Sequence, residues 1–183
     1  MEATLKYRGR VISEGISPFV NAKSRILDIG CGNGVIASEI AKYFKCSVTG
    51  TDVCEYLVKD IKFRKMPDQK TLDFKNKEFD LGLFNDVLHH VPFENQIVLI
   101  KEALRVCHGA LIFEVKPTLA AKIAEYPLNW VNNMNVPILL THRDKNNWLR
   151  LFERHNLCCE FYPIKKPAFW YPFINYLFYL KNR

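Results

Sequence analysis

The stretch Ile26-Leu27-Asp28-Ile29-Gly30-Cys31-Gly32-Asn33-Gly34, with Asp52 closing a second run at Val48-Thr49-Gly50-Thr51-Asp52, constrains this chain more than any other feature. A short buried strand ends in a loop whose glycines let a ligand approach the backbone closely. A carboxylate on the next strand is then placed to accept hydrogen bonds from ribose hydroxyls. Together they describe a nucleotide-type pocket in an open α/β fold. The spacing departs from the dinucleotide fingerprint G-x-G-x-x-G/A, because counting from Gly30 the third small position is Val35. The glycines alternate instead at 30, 32 and 34, with Asp28 two residues before the first. A glycine-rich strand-to-helix turn with no ligand is the alternative reading.

This D-x-G-x-G-x-G arrangement resembles the first motif of class I S-adenosylmethionine-dependent methyltransferases. The resemblance extends over residues 24 to 163. Phe79-Asp80-Leu81-Gly82-Leu83-Phe84-Asn85-Asp86-Val87-Leu88-His89-His90-Val91 is similar to a strand and following turn of the ubiquinone-biosynthesis-like, small-molecule branch. Counting back from Phe79, Asp68 falls where that family carries an acid after its third strand, and Gln69 on the neighbouring adenine-edge position. Leu72-Asp73-Phe74 departs from the family's usual Leu-Pro-Phe. The resemblance implies a Rossmann-like domain with a seven-stranded, mostly parallel sheet. Its last strand would insert antiparallel between the fifth and sixth.

The pattern along the chain alternates helix and strand, which independently argues a doubly wound α/β sheet covered on both faces. Residues 1 to 23 read as an N-terminal helical segment. Strands are expected at 25–29, 47–51, 61–65, 79–84, 110–115, 157–162 and 176–180. Helices are expected from the glycine loop to Phe44, over 54–59, over 94–106 and over 142–155. Gly109 is expected to end the third of these before its strand. Residues 117–142 and 163–175 are expected to be acceptor-side insertions within one domain spanning 1–183. At 183 residues such a chain buries roughly two-thirds of its unfolded surface.

Apolar residues at 49% and aromatics at 13% exclude disorder. No uncharged apolar run reaches the roughly 18 residues of a membrane span. Met1–Tyr7 lacks the charged-then-apolar layout of a signal peptide. The cysteines at 31, 46, 54, 107, 158 and 159 form no C-x-x-C. Reduced thiols in a cytoplasmic protein and no metal site are therefore expected. The net charge of +7 is spread along the chain, so it fits a negatively charged substrate, an anionic membrane surface or plain solubility. Nucleic acid is not the expected partner.

The resemblance implies S-adenosylmethionine as cofactor, and roles follow for individual residues. Gly30, Cys31, Gly32 and Gly34 would pass the chain under the methionine end. Asp28 would hold loop amides or, through water, the cofactor's ammonium. Asp52, with Val53 beside it, would bind the ribose; the alternative is a helix N-cap. Asp68 and Gln69 would meet the adenine edge, or Asp68 would merely make a solvated turn. Asn85 would contact the methionine moiety, or cap a turn. His89 and His90 are adjacent, so they would not converge on a metal. They and Glu114 are candidate catalytic groups, with a structural role the alternative.

Methyl transfer needs a general base only when the acceptor must lose a proton, so the acceptor is harder to read. The chain lacks both the Pro-Pro-aromatic motif after Asn85 and a Pro-Cys nucleophile, which speaks against base methylation. A small, apolar or lipid-like acceptor is expected. Tyr126 and Trp130, with Trp170, Tyr171 and Phe173, would form its cover or simply close the core. An RNA or protein methyltransferase, and a non-catalytic cofactor-binding subunit, are the competing readings.

Overall fold

Ile26 and Leu27 are neighbours in sequence, yet their side chains enter two different hydrophobic cores. That is the period-two alternation of a strand buried on both faces. The computed structural model describes residues 2–118, 141–164 and 174–182. Their elements are α1 (Glu2–Ile16), β1 (Arg25–Ile29), α2 (Val35–Phe44), β2 (Ser47–Asp52), β3 (Lys62–Lys65) and β4 (Phe79–Asn85). Then come α3 (Phe93–Val106), β5 (Cys107–Val115), α4 (Lys145–Arg154), β6 (Leu157–Pro163) and β7 (Asn175–Asn182).

The strands form one seven-stranded sheet in the order β3-β2-β1-β4-β5-β7-β6. Strands β1 to β5 pair in parallel, whereas β7 lies antiparallel to both β5 and β6. One face is covered by α1 and α2, with Ile12, Ile16 and Ile40 meeting Ile26, Leu83, Leu111 and Leu177. The other is covered by α3 and α4, with Leu99, Ile100, Trp148 and Phe152 meeting Leu27, Ile112 and Phe178. Each such fully buried side chain contributes about 1.5–3 kcal/mol of transfer free energy.

Local details differ from the sequence expectations. Residues 54–59 are not helical. Their backbone donors reach outward instead: Cys54 N–H donates to Asp52 Oδ1 at 3.2 Å and Val58 N–H to Asn33 O at 3.0 Å. The segment is thereby tied to the glycine loop. Gly109 does not end a helix, because β5 starts at Cys107 directly after α3. Gly109 lies inside the strand, where a Cβ would come within 2.8 Å of the Tyr179 ring. Val98 of α3 is 41% exposed, and the buried face runs through Gln96, Leu99, Ile100, Ala103 and Leu104. The N-terminal helix stops at Ile16 and passes into a short 3-10 turn at Ser17–Phe19, which carries Pro18.

Candidate functional site

The chain winds β1, β2, β3 to one side of the sheet and then crosses to β4. Between β1 and β4 the two following turns therefore diverge, leaving a crevice at the carboxyl ends of the strands. A cavity of about 270 Å³ opens there. Gly30, Cys31, Gly32 and Asn33 form its floor, Asp52 and Val53 one wall, and Asn85, Asp86 and Val87 the facing wall.

The loop's shape follows from its hydrogen bonds. Gly30 and Cys31 N–H both donate to Thr51 O, at 2.8 and 3.2 Å, which ties β1 to β2 at the pocket floor. Gly32 N–H donates to Asp52 Oδ2 at 3.0 Å, Gly34 N–H to Cys31 O at 3.1 Å and Val35 N–H to Asn33 Oδ1 at 3.2 Å. Gly30 has φ +74°, and a Cβ there would fall inside the Val87 side chain. Gly32 has φ +56°, but the nearest atom to its missing Cβ is Tyr56 Oη at 3.7 Å. Residue 30 is thus glycine for the protein's own packing, whereas residue 32 leaves its space to the cavity.

Asp52 is 9% exposed, and its two oxygens accept from Gly32 and Cys54 N–H. It caps a turn, not a helix, while still facing the cavity. Burial raises its pKa above the usual carboxylate range despite those hydrogen bonds. Asp28 lies behind the loop at 1% exposure and does not line the cavity. Burial first, and the charge of Asp52 second, push its carboxyl up to about 7. Its Oδ1 accepts no hydrogen bond among the described residues. Burial together with Asp28 and Asp52 pushes the Cys31 thiol up as well, so it is no nucleophile at neutral pH.

Gln69 and Asn85 both line the cavity, and Asn85 Oδ1 is buried with no hydrogen-bond partner among the described residues. Gly34 lies outside the lining and serves as the N-cap of α2 in a left-handed conformation. Asp68 also lies outside it. Its carboxylate accepts from Lys70 N–H at 2.8 Å and Thr71 Oγ1 at 3.1 Å, and those turn bonds hold it below the usual carboxylate pKa.

The adjacent histidines have ring centroids 4.2 Å apart but face different surroundings. His90 lines the cavity. His89 is 3% exposed, with Nδ1 at 2.7 Å from Glu114 Oε2 and its ring stacked on His142 at 4.7 Å. Glu114 Oε1 accepts from Leu88 N–H at 2.7 Å, so this carboxylate turns to the 88–90 turn and not to the cavity. Gln96 and Thr141 clamp the same turn. Gln96 Nε2 donates to Leu88 O at 2.9 Å, and Thr141 Oγ1 donates to Val91 O at 2.6 Å. Asp86, His89 and Glu114 bring donor atoms within 4.8 Å of one another. Asp86 also pairs with Arg8, while the Glu114 oxygens engage Leu88 N–H and His89 Nδ1.

Tyr126, Trp130, Trp170, Tyr171 and Phe173 lie outside the described residues. Sequence reasoning missed Arg8, Tyr56, Met66 and Asp86, which all reach the cavity. Arg8 and Tyr56 carry no motif. Asp86, next to Asn85, was legible as part of the turn that closes β4.

Residues 27–113 match the model of the methyltransferase domain family. No curated protein matches the chain by sequence at a significant level. Among solved structures, it is similar to an S-adenosylmethionine-dependent methyltransferase from Archaeoglobus fulgidus at 14% identity and TM-score 0.75, covering 100% of this chain and 95% of that one. It is also similar to magnesium protoporphyrin IX methyltransferase from Synechocystis PCC 6803 with bound SAH, at 14% identity and TM-score 0.68, covering 97% and 83%. Geranyl diphosphate methyltransferase in complex with SAM aligns at 11% identity and TM-score 0.64, covering 100% and 90%. At these identities the structural likeness is one of fold.

Proposed function

We propose that the chain, whose residues 27–113 match the methyltransferase domain family, is a class I S-adenosylmethionine-dependent methyltransferase that methylates a small, apolar or lipid-like metabolite. The observation that carries the donor half is the cavity at the β1/β4 crevice, where the open space at Gly32 meets the carboxylate of Asp52. The residues present fit this cofactor. Asn85 Oδ1, buried without a partner among the described residues, offers an acceptor for its ammonium group. Asp52 retains acceptor capacity for ribose hydroxyls beyond its two backbone bonds. Met66, Val91 and Leu99 supply apolar surface for the adenine ring, with Gln69 at its edge.

The bound cofactor supplies an electrophilic methyl group on a sulfonium. What the protein adds is alignment and exclusion of water, which together account for much of the rate in such a displacement. His90, not His89, is the candidate to take a proton from the acceptor, because His90 alone of the pair lines the cavity. The hydrogen-bonded cluster of Glu114, Gln96 and Thr141 holds that turn in place.

The acceptor reading is supported by the aromatic segments Tyr126–Trp130 and Trp170–Phe173 in the sequence. The names of two fold relatives, acting on a porphyrin and on geranyl diphosphate, point the same way. Lys165, Lys166, Lys181 and Arg183 would hold an acidic headgroup or rest on an anionic membrane surface. A cytoplasmic location is part of the same proposal; no helix among the described residues is long and apolar enough to cross a membrane. The test is a metabolite screen scored by S-adenosylhomocysteine release from the purified chain. Turnover of apolar acceptors supports the reading. Turnover only of RNA, with steep salt dependence, only of protein, or only with an added partner subunit would overturn it.

A further inference from the structure

Arg8 projects from α1 into the cavity, and it is the only lysine or arginine among the described lining residues. It also lies outside the segment 27–113 that matches the methyltransferase family, so no family motif accounts for it. Its placement is firm. Ile12 and Ile16 of α1 are fully buried against the α2 side of the sheet. At the neighbouring Gly9, α1 approaches α2 so closely that a Cβ would come within 3.0 Å of Glu39 Cβ. Leu5 and Arg8 of the same helix line the cavity together with the glycine loop. The guanidinium pairs there with Asp86, whose backbone is held in the left-handed region at φ +49° and whose N–H donates to Phe113 O at 2.8 Å.

The glycine loop itself is a poor anion site. Its amides at residues 30, 31, 32, 34 and 35 all donate to acceptors within the protein, namely Thr51 O twice, Asp52 Oδ2, Cys31 O and Asn33 Oδ1. The two carboxylates on the cavity wall, Asp52 and Asp86, repel a further negative charge. A ligand that carries an α-carboxylate therefore has to find a cation from outside the loop. The guanidinium has five N–H donors in a fixed fork, so it can keep Asp86 on one edge and offer another to a second carboxylate.

We propose that Arg8 of α1 is the carboxylate-reading residue of this enzyme, binding the amino-acid end of the cofactor while Asp86 holds its guanidinium over the glycine loop. The inference rests on the S-adenosylmethionine reading above. It makes α1 a working part of the donor site, in addition to its role as cover for the sheet.

The test is calorimetry on the full chain with S-adenosylhomocysteine and with its decarboxylated counterpart, which differs only in lacking the carboxylate. Arg8→Gln is expected to weaken S-adenosylhomocysteine binding about ten- to a hundredfold and to leave the decarboxylated ligand unchanged within about twofold. Unchanged binding of the second ligand also establishes that the variant is folded. Equal losses for both ligands, or no loss for either, would overturn the proposal. If Arg8→Gln does not fold, Arg8→Lys takes its place: a loss of several-fold confined to S-adenosylhomocysteine supports the assignment, and a shared or absent loss sinks it. Failure of the unaltered chain to bind either ligand would instead overturn the cofactor reading itself.

Discussion

His89 Nδ1 and Glu114 Oε2 lie 2.7 Å apart with both side chains almost fully buried, and Glu114 Oε1 accepts from the Leu88 amide at the same distance. One carboxylate at the end of β5 thus fixes the turn after β4. That turn carries His90 to the cavity, so the pair links the sheet to the proposed reaction site.

Glu114→Ala should orphan the Leu88 amide and the His89 nitrogen, each at a cost of about 1–3 kcal/mol. Glu114→Gln keeps an acceptor for Leu88 and should lose less. Urea unfolding of the two variants gives the comparison, and equal stability of Glu114→Ala and the unaltered chain would refute the role.

Asp28 should make stability depend on pH with an unusual sign. Its folded pKa of about 7 lies above the ordinary 3.8, so between these values the native state binds a proton that the unfolded chain has released. Stability from this group is therefore full below the unfolded pKa and falls as pH rises towards 7, by up to about 4 kcal/mol. Asp28→Asn should flatten denaturation midpoints across that window. An unchanged slope would show that Asp28 is not the titrating group.

Asp52→Ala removes charge-assisted hydrogen bonds to the ribose and should weaken cofactor binding at least about tenfold. Because Asp52 also holds the Gly32 and Cys54 amides, a loss of about 1–3 kcal/mol in stability should accompany it. Calorimetry and thermal melting read the two effects separately. Full affinity in a folded variant would reduce Asp52 to a turn cap.

Two glycines two residues apart should fail differently. Gly30→Ala meets Val87 and should cost several kcal/mol of stability, visible as a lower melting temperature. Gly32→Ala has room and should cost only about 1–2 kcal/mol for its left-handed backbone, but its methyl group enters the cavity and should weaken S-adenosylhomocysteine binding. The reverse pattern would mean that Gly32 does not adjoin the cofactor.

Trp170→Ala should raise the Michaelis constant for the acceptor while donor affinity stays near normal, since the proposed aromatic cover belongs to the acceptor. Each square ångström of apolar acceptor surface left in water costs about 25 cal/mol of binding. Unchanged acceptor kinetics, or a parallel loss of donor binding, would remove Trp170 from that cover.

Sequence alone determined most of the strands and the glycine loop, because both rest on short-range regularities. Burial on both faces of β1, β4 and β5 is written as short, mostly apolar runs. The glycine at 30, which the backbone and Val87 both demand, is visible as a residue type. The antiparallel β7 was legible only through family resemblance, since no local pattern states which neighbours a strand will take. Residues 54–59 were misread because the Val58 amide, which would close the first helical turn onto Cys54 O, donates instead to Asn33 O of the glycine loop, a choice made by the tertiary fold around it. The same reason hid Arg8: nothing near it in sequence names a ligand, and only the docking of α1 on α2 carries it to the pocket beside Asp86. Glu114, an odd charge in an apolar strand, could be singled out from sequence. That it would turn to Leu88 and His89, not to the cavity, was decided by tertiary structure, because a buried carboxylate goes where donors are, and those donors lie more than twenty residues away.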